Sequence, residues 1–224
     1  MSTEARDKYE MIKGISYFAG LPAHEIERLA ASARLIAVDD GEVLFHEGEP
    51  ALGLYWLRRG RIKAVRYSPE GRQLIVREFR AGDTFNEVGA LDASENAATT
   101  LSGEDGTEAL LIPGALIRDL ATRYPELDAA MMQAMAGKLR FAMGRMNEMA
   151  LLDVKARLAA HLLEEADEKG NVGGITHEEL AARLGTVRQV LGRSLGELQR
   201  AGAVEVKRGS IRILDRNALK ELVE

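Results

Sequence analysis

No cysteine occurs in the chain. Its absence excludes disulfides, thiolate-held iron–sulfur clusters and cysteine redox switching, and it fits a cytoplasmic protein. No apolar run is long enough to span a bilayer. The first residues, MSTEARDKYE, lack the apolar stretch of a secretory signal. Histidine is scarce, and only His24 and His46 precede the C-terminal third. His46 has no histidine neighbour at metal-ligand spacing, so an enzyme holding a metal in a rolled β-barrel, as cupins do, is a remote alternative. No catalytic residue and no metal ligand is assigned. An excess of positive charge is missing too: the net charge is −5, which alone argues against a general nucleic-acid binder.

That charge is unevenly spread. From Ile175 to the end, nine basic residues face seven acidic ones, a local balance of +2 that leaves −7 for the rest. An acidic front and a mildly basic tail place nucleic acid at the C-terminal end. With 46% hydrophobic and 29% charged residues in 224, the chain has room for one or two ordinary globular domains.

Asp7 to Lys13 reads as a short helix closed by Gly14, and a second helix follows Pro22 with Ile26, Leu29 and Ala30 on its inner side. From Leu35 to Ile112, short runs rich in β-branched and aromatic residues alternate with glycines: Leu54–Leu57, Ile62–Tyr67, Leu74–Phe79 and Ala109–Ile112. Strands and turns at this density predict a β-sandwich or a rolled barrel. Leu116 to Ala121 forms a brief helix.

Pro125 to Leu152 is a long helix in which Met132, Met135, Leu139, Ala142, Met146 and Met149 recur at alternating steps of three and four. This is a heptad seam, and a seam needs a second helix to cover it. It is the expected dimer interface, the alternative being an ordinary core helix of a monomer. Gly137 and Gly144 face away from the seam, where a helical glycine costs about 1 kcal/mol relative to alanine. Close packing against a β-roll loop would explain them, and so would a C-terminal half kept easy to melt.

Asp153 caps a further helix from Val154 to about Glu168, and KGNVGG reads as a loop. Thr176, with Glu179 three residues on, forms a capping box at the start of another helix. Gly185 makes a turn, Val187 to Arg200 is the next helix, and Val204–Val206, Gly209 and Ile211–Leu214 form a hairpin ahead of a helix capped by Asp215. Helix, glycine turn, helix and hairpin make a winged helix-turn-helix. The second helix carries Arg188, Gln189, Arg193 and Arg200 on its polar side. Arginine pairs bidentately with guanine, and glutamine with adenine. The alternative is a solvated charged face on a small helical domain.

These motifs, taken in order, resemble the Crp/Fnr family of bacterial transcription regulators. GLPAHEIERLA followed by GEVLFHEGEPALGLYWLRRGRIKAV looks like the start of that family's β-roll, GDTFNEVGALD like its ligand cassette, LLDVKARLAAHLL like its hinge, and ITHEELAARLGTVRQVLGRSLGELQRAGAVE like its DNA-binding core. The resemblance implies an α+β chain: a cyclic-nucleotide-binding-like β-roll sensor domain over 1–124, a dimerisation helix over 125–152 and a winged helix-turn-helix over 153–224. It implies a homodimer on pseudo-palindromic double-stranded DNA, with RNA polymerase as protein partner and no membrane. Arg188 and Arg193 match the family's base-reading arginines. Gln189 stands where many members have glutamate. Val187 replaces a small hydroxyl residue, whose capping task falls to Thr186. Thr176 and His177 complete the expected DNA-binding set.

The same resemblance places an effector pocket at Asn86, Glu87, Val88, Gly89, Ala97, Ala98, Leu139, Ala142 and Met143. Cyclic-nucleotide members hold the phosphate with an arginine and a serine where this chain has Ala97 and Ala98, and contact the base from positions matching Ala142 and Met143. From Ala81 through Ile117 there is no Lys, Arg or His. A buried phosphate would lose charge-assisted hydrogen bonds of ~1.5–3 kcal/mol each. Cyclic AMP is therefore not the expected effector, and Glu87, the counterpart of the ribose-binding glutamate, is expected to shape the turn before Val88. The resemblance leaves two readings: an effector of another kind, or none. A haem-dependent nitric oxide or gas sensor is the alternative, with His24 and His46 the histidines at hand.

Overall fold

The computed structural model describes residues 3–103, 106–207 and 209–223. Arg208 and Glu224, counted in the tail's charge, lie outside the described residues, as do Met1 and Ser2. The elements run α1 (Thr3–Lys13), a 3-10 turn (Ser16–Phe18), α2 (Ala23–Ser32), β1 (Arg34–Val38), β2 (Val43–Phe45), β3 (Gly53–Arg59), β4 (Arg61–Tyr67), β5 (Gln73–Arg80), β6 (Thr84–Phe85), α3 (Glu87–Asp92), β7 (Thr99–Ser102) and β8 (Thr107–Pro113). Then come α4 (Gly114–Arg123), α5 (Pro125–Leu151), α6 (Val154–Glu165), β9 (Asn171–Gly173), α7 (His177–Arg183), α8 (Arg188–Arg200), β10 (Val204–Lys207), β11 (Ser210–Ile213) and α9 (Arg216–Lys220). The chain forms two compact units, Met1–Arg66 with Val76–Leu139, and Tyr67–Ile75 with Arg140–Glu224. Helix α5 contributes to both.

Two four-stranded antiparallel sheets, ordered β1-β8-β3-β6 and β2-β7-β4-β5, build the roll. Alternation along β3 and β8 divides two cores. Leu54, Leu110 and Ile112 point to one side, where Ile12, Phe18, Leu29, Ile117, Leu120, Leu127 and Met131 cover them from the helices. Tyr55, Leu57, Ala109 and Leu111 point to the other, into a core with Phe45, Ile62, Phe79 and Phe85. A period of two is what puts successive side chains of one strand into different cores. The roll interior is aromatic: Tyr55 and Phe85 stack with centroids 5.1 Å apart, and Phe79 lies 5.2 Å from Phe85.

The C-terminal unit has its own core, with Leu158, Leu162, Leu180, Leu191, Leu195, Leu198, Val204, Ile211 and Leu219 buried together. Its helices start where side chains cap them: Asp153 accepts from Ala156 N, Thr176 from Glu179 N, and Asp215 from Asn217 N and Ala218 N. Each cap satisfies an amide that the first turn leaves free.

The structure corrects several element boundaries. Helix α1 begins at Thr3 rather than Asp7, helped by the Glu4–Lys8 ion pair at 2.8 Å, one turn apart. Helix α6 stops at Glu165, because Asp167 Oδ1 accepts from Lys169 N and Asn171 N and turns the chain. KGNVGG is not all loop: Asn171, Val172 and Gly173 pair with Arg212, Ile211 and Ser210, and the wing has three strands, β10-β11-β9. Buried Val172 anchors that third strand. Helix α3 is unannounced in the sequence, since left-handed Asn86 and Ala93, at φ of 65° and 57°, bracket it where glycine would be usual.

Candidate nucleic-acid interface and effector pocket

The turn between α7 and α8 needs a left-handed residue, and Gly185 supplies it at φ of 62°. Thr186 N donates to Ala181 O at 2.9 Å, and Leu184 N to Leu180 O at 3.0 Å. Two arginines hold the carbonyls at the end of α7: Arg145 donates to Arg183 O at 2.8 Å, and Arg157 to Leu184 O at 3.1 Å. A Cβ on Gly185 would meet the Met149 methyl at 2.6 Å, so Met149, a seam position, also packs on the turn. Helix α8 buries Leu191, Ser194, Leu195 and Leu198 and exposes Arg188, Gln189, Arg193 and Arg200. The N-cap of α8 is Val187, which makes no side-chain hydrogen bond.

Beside the start of α8, a groove of about 570 Å³ is lined by Thr176, His177, Glu178, Arg188, Lys207 and neighbouring residues of α7 and the wing. Thr176 is exposed and His177 half-buried. Arg188 Nη1 donates to Glu178 Oε1 across this groove, with both side chains exposed. Arg183 and Glu179 also pair, at 3.0 Å, but on the sheltered side of α7.

In the N-terminal unit, Asn86 donates to Gly53 O at 3.2 Å and Asn96 Oδ1 at 3.0 Å, which ties the cassette to β3. A Cβ on Gly89 would meet Ala51 Cβ at 2.4 Å, so only glycine fits there. Val88 and Ala97 are exposed, and Ala98 is partly buried against the roll's inner core. Glu87 does more than shape a turn. It is buried, accepts from the Tyr17 hydroxyl at 3.1 Å and pairs with Lys138 Nζ of α5. Lys138 also donates to Thr84 O at 3.0 Å. Burial, aided by the Glu87 charge, pushes the Tyr17 phenol up to about 12. Burial holds the Lys138 ammonium below the usual lysine range, and Glu87 opposes that shift.

Lys138 is the residue of this buried contact that sequence reasoning passed over. The signal was a lone lysine inside the apolar run AMAGKL. The seam residues Met132, Leu139 and Met146 are 66, 62 and 69% exposed, while Met135 is half-buried and Ala142 and Met143 are exposed. Among the described residues, a Cβ at Gly137 or Gly144 meets nothing within 4 Å, so no close packing seen there accounts for either glycine. His24 and His46 are both on the outside. Among the described residues, no three His, Cys, Asp or Glu side chains gather as a metal site would require, and no helix is long and apolar enough to cross a membrane.

Residues 35–124 match the cyclic nucleotide-binding domain, and residues 156–222 match the Crp-like helix-turn-helix domain. The transcriptional regulator SdrP of Thermus thermophilus is 33% identical over 82% of this chain and 91% of its own. The cyclic AMP receptor protein of the same organism is 27% identical over 94% of this chain and 98% of its own. A crystal structure described as a regulator of the Crp/Fnr family from Eubacterium rectale superimposes with a TM-score of 0.79, at 22% identity, over 94% of this chain and 99% of that one, and so shares the fold. With a cyclic-nucleotide-binding-like roll, a Crp-like helix-turn-helix and a 33% identical regulator spanning most of its length, the chain belongs to the Crp/Fnr family of transcriptional regulators.

Proposed function

We propose that the protein is a homodimeric, sequence-specific DNA-binding regulator, controlled by an effector other than cyclic AMP or acting without one. The observation that carries the first part is the two-sidedness of α8, with an apolar side in the core and Arg188, Gln189 and Arg193 exposed to solvent. Arg188 reads guanine and Gln189 adenine, while Thr176, His177, Thr186 and Val187 lie along the phosphate backbone. The exposed seam residues Met132, Leu139 and Met146 support a twin helix, since contiguous apolar exposure of this kind marks an interaction surface. RNA polymerase is the protein partner, in the cytoplasm.

One relative is named a cyclic AMP receptor protein, but this chain has Ala97 and Ala98 where cyclic-nucleotide members hold the phosphate. The cation that α5 brings to the cassette at Glu87, Lys138, is already paired with that carboxylate. The aromatic filling of the roll interior also supports a small effector or none. Light scattering and a mobility-shift titration test the assembly together. Leu139→Asp is expected to give monomers and to abolish specific binding. A variant that stays dimeric removes α5 from the interface.

A further inference from the structure

Among the described residues lining the groove between α7 and the wing, Glu178 is the one acid. The others there include Arg188, Lys207 and His177, a set suited to phosphate. A carboxylate in such a groove repels the DNA backbone and lowers general affinity. It does little for the fold, because an exposed ion pair contributes little to stability. Its carboxylate nevertheless lies directly on the guanidinium of Arg188.

The geometry of arginine shows what that contact does. A guanidinium is a planar fork with five N–H donors. Glu178 takes one, on Nη1. Four remain, and guanine needs two, for O6 and N7. The pair with Glu178 and the pair with guanine are therefore compatible. Because the fork is rigid, fixing one edge sets the direction of the other. A long, exposed arginine otherwise samples many rotamers and reaches phosphates as readily as base edges.

We propose that Glu178 is a positioning residue for base recognition: it holds the Arg188 guanidinium so that its free edge meets guanine rather than the backbone. The inference rests on the reading that Arg188 reads a base, and the test separates the two. The probe is the operator obtained by selection from random DNA, with three derivatives carrying the other base pairs at the position Arg188 reads. Dissociation constants are measured at one salt concentration for the wild type, Glu178→Gln, Glu178→Ala and Arg188→Ala.

Wild-type protein is expected to prefer one base pair at that position, and Arg188→Ala to lose the preference. Glu178→Ala should keep the fold, as judged by an unchanged melting temperature. It should lose about three- to tenfold of the discrimination, part of what the arginine itself provides. Glu178→Gln, a weaker acceptor of the same shape, should fall between. A purely structural role would not move discrimination at a single base pair. If both Glu178 variants bind all four duplexes more tightly by one common factor, Glu178 only repels phosphate and the proposal is wrong. If Arg188→Ala leaves the preference intact, the base-reading assignment itself fails.

Discussion

Lys138 and Glu87 join α5 to the start of α3 through a contact sheltered from water. The Glu87 side chain is 4% exposed and that of Lys138 25%. Removing one member of a buried pair costs ~3–5 kcal/mol, because the other charge is left without its partner. Partial exposure of Lys138 and the Tyr17 hydrogen bond put this site at or below the lower end of that range. Lys138→Met should therefore lower the melting temperature by several degrees. Adding Glu87→Gln should restore part of the loss, a non-additivity expected of residues in contact. Equal and additive losses would show that the pair is not coupled.

His161, in α6, is a half-buried titratable group. Burial, with Arg183 and Arg145 nearby, holds its imidazole below the usual 6.5, while Glu165 opposes the shift. Its Nε2 is buried with no hydrogen-bond partner among the described residues. A folded-state pKa below the unfolded one means that the unfolded chain takes up the proton first as pH falls. Stability is then full above the unfolded pKa of 6.5 and is lost as pH drops from there toward the folded value. His161→Gln should flatten that loss. Urea midpoints of both proteins on either side of the unfolded pKa measure it, and an equally acid-sensitive variant would exonerate His161.

At the scale of elements, α5 is the informative case. Its length, its start at Pro125 and its seam were legible because they rest on local periodicity. The caps at Asp153, Thr176 and Asp215 were legible for the same reason. What was not legible depends on long-range pairing. Strand β9 exists because Ile211 and its neighbours pair with it. Lys138 matters because folding brings Glu87, 51 residues away, to its ammonium. The left-handed Asn86 and Ala93 are imposed by the cassette against local preference. Among the described residues, Gly137 and Gly144 meet no neighbour that would forbid a Cβ, so alanine at either should stabilise the helix by about 1 kcal/mol. If the C-terminal half of α5 orders on activation, Gly144→Ala should also tighten effector-free operator binding about fivefold, the factor that ~1 kcal/mol makes in an equilibrium. A raised melting temperature with unchanged DNA binding would mean that the helix does not switch there.

At the scale of the whole molecule, sequence and structure agree on an ordered series: a roll, a long helix with an exposed apolar seam, and a winged helix with an exposed arginine face. Two copies joined along the seam would present two such faces to one duplex. Selection of binding sites from random DNA tests this most directly. The account predicts two inverted half-sites centred about one DNA turn apart, ~34 Å. It also predicts that Gln189→Glu moves one position in each half-site from A·T toward G·C, a change of ~1–3 kcal/mol per base pair. A single unpaired half-site, or no enriched sequence at all, would contradict it.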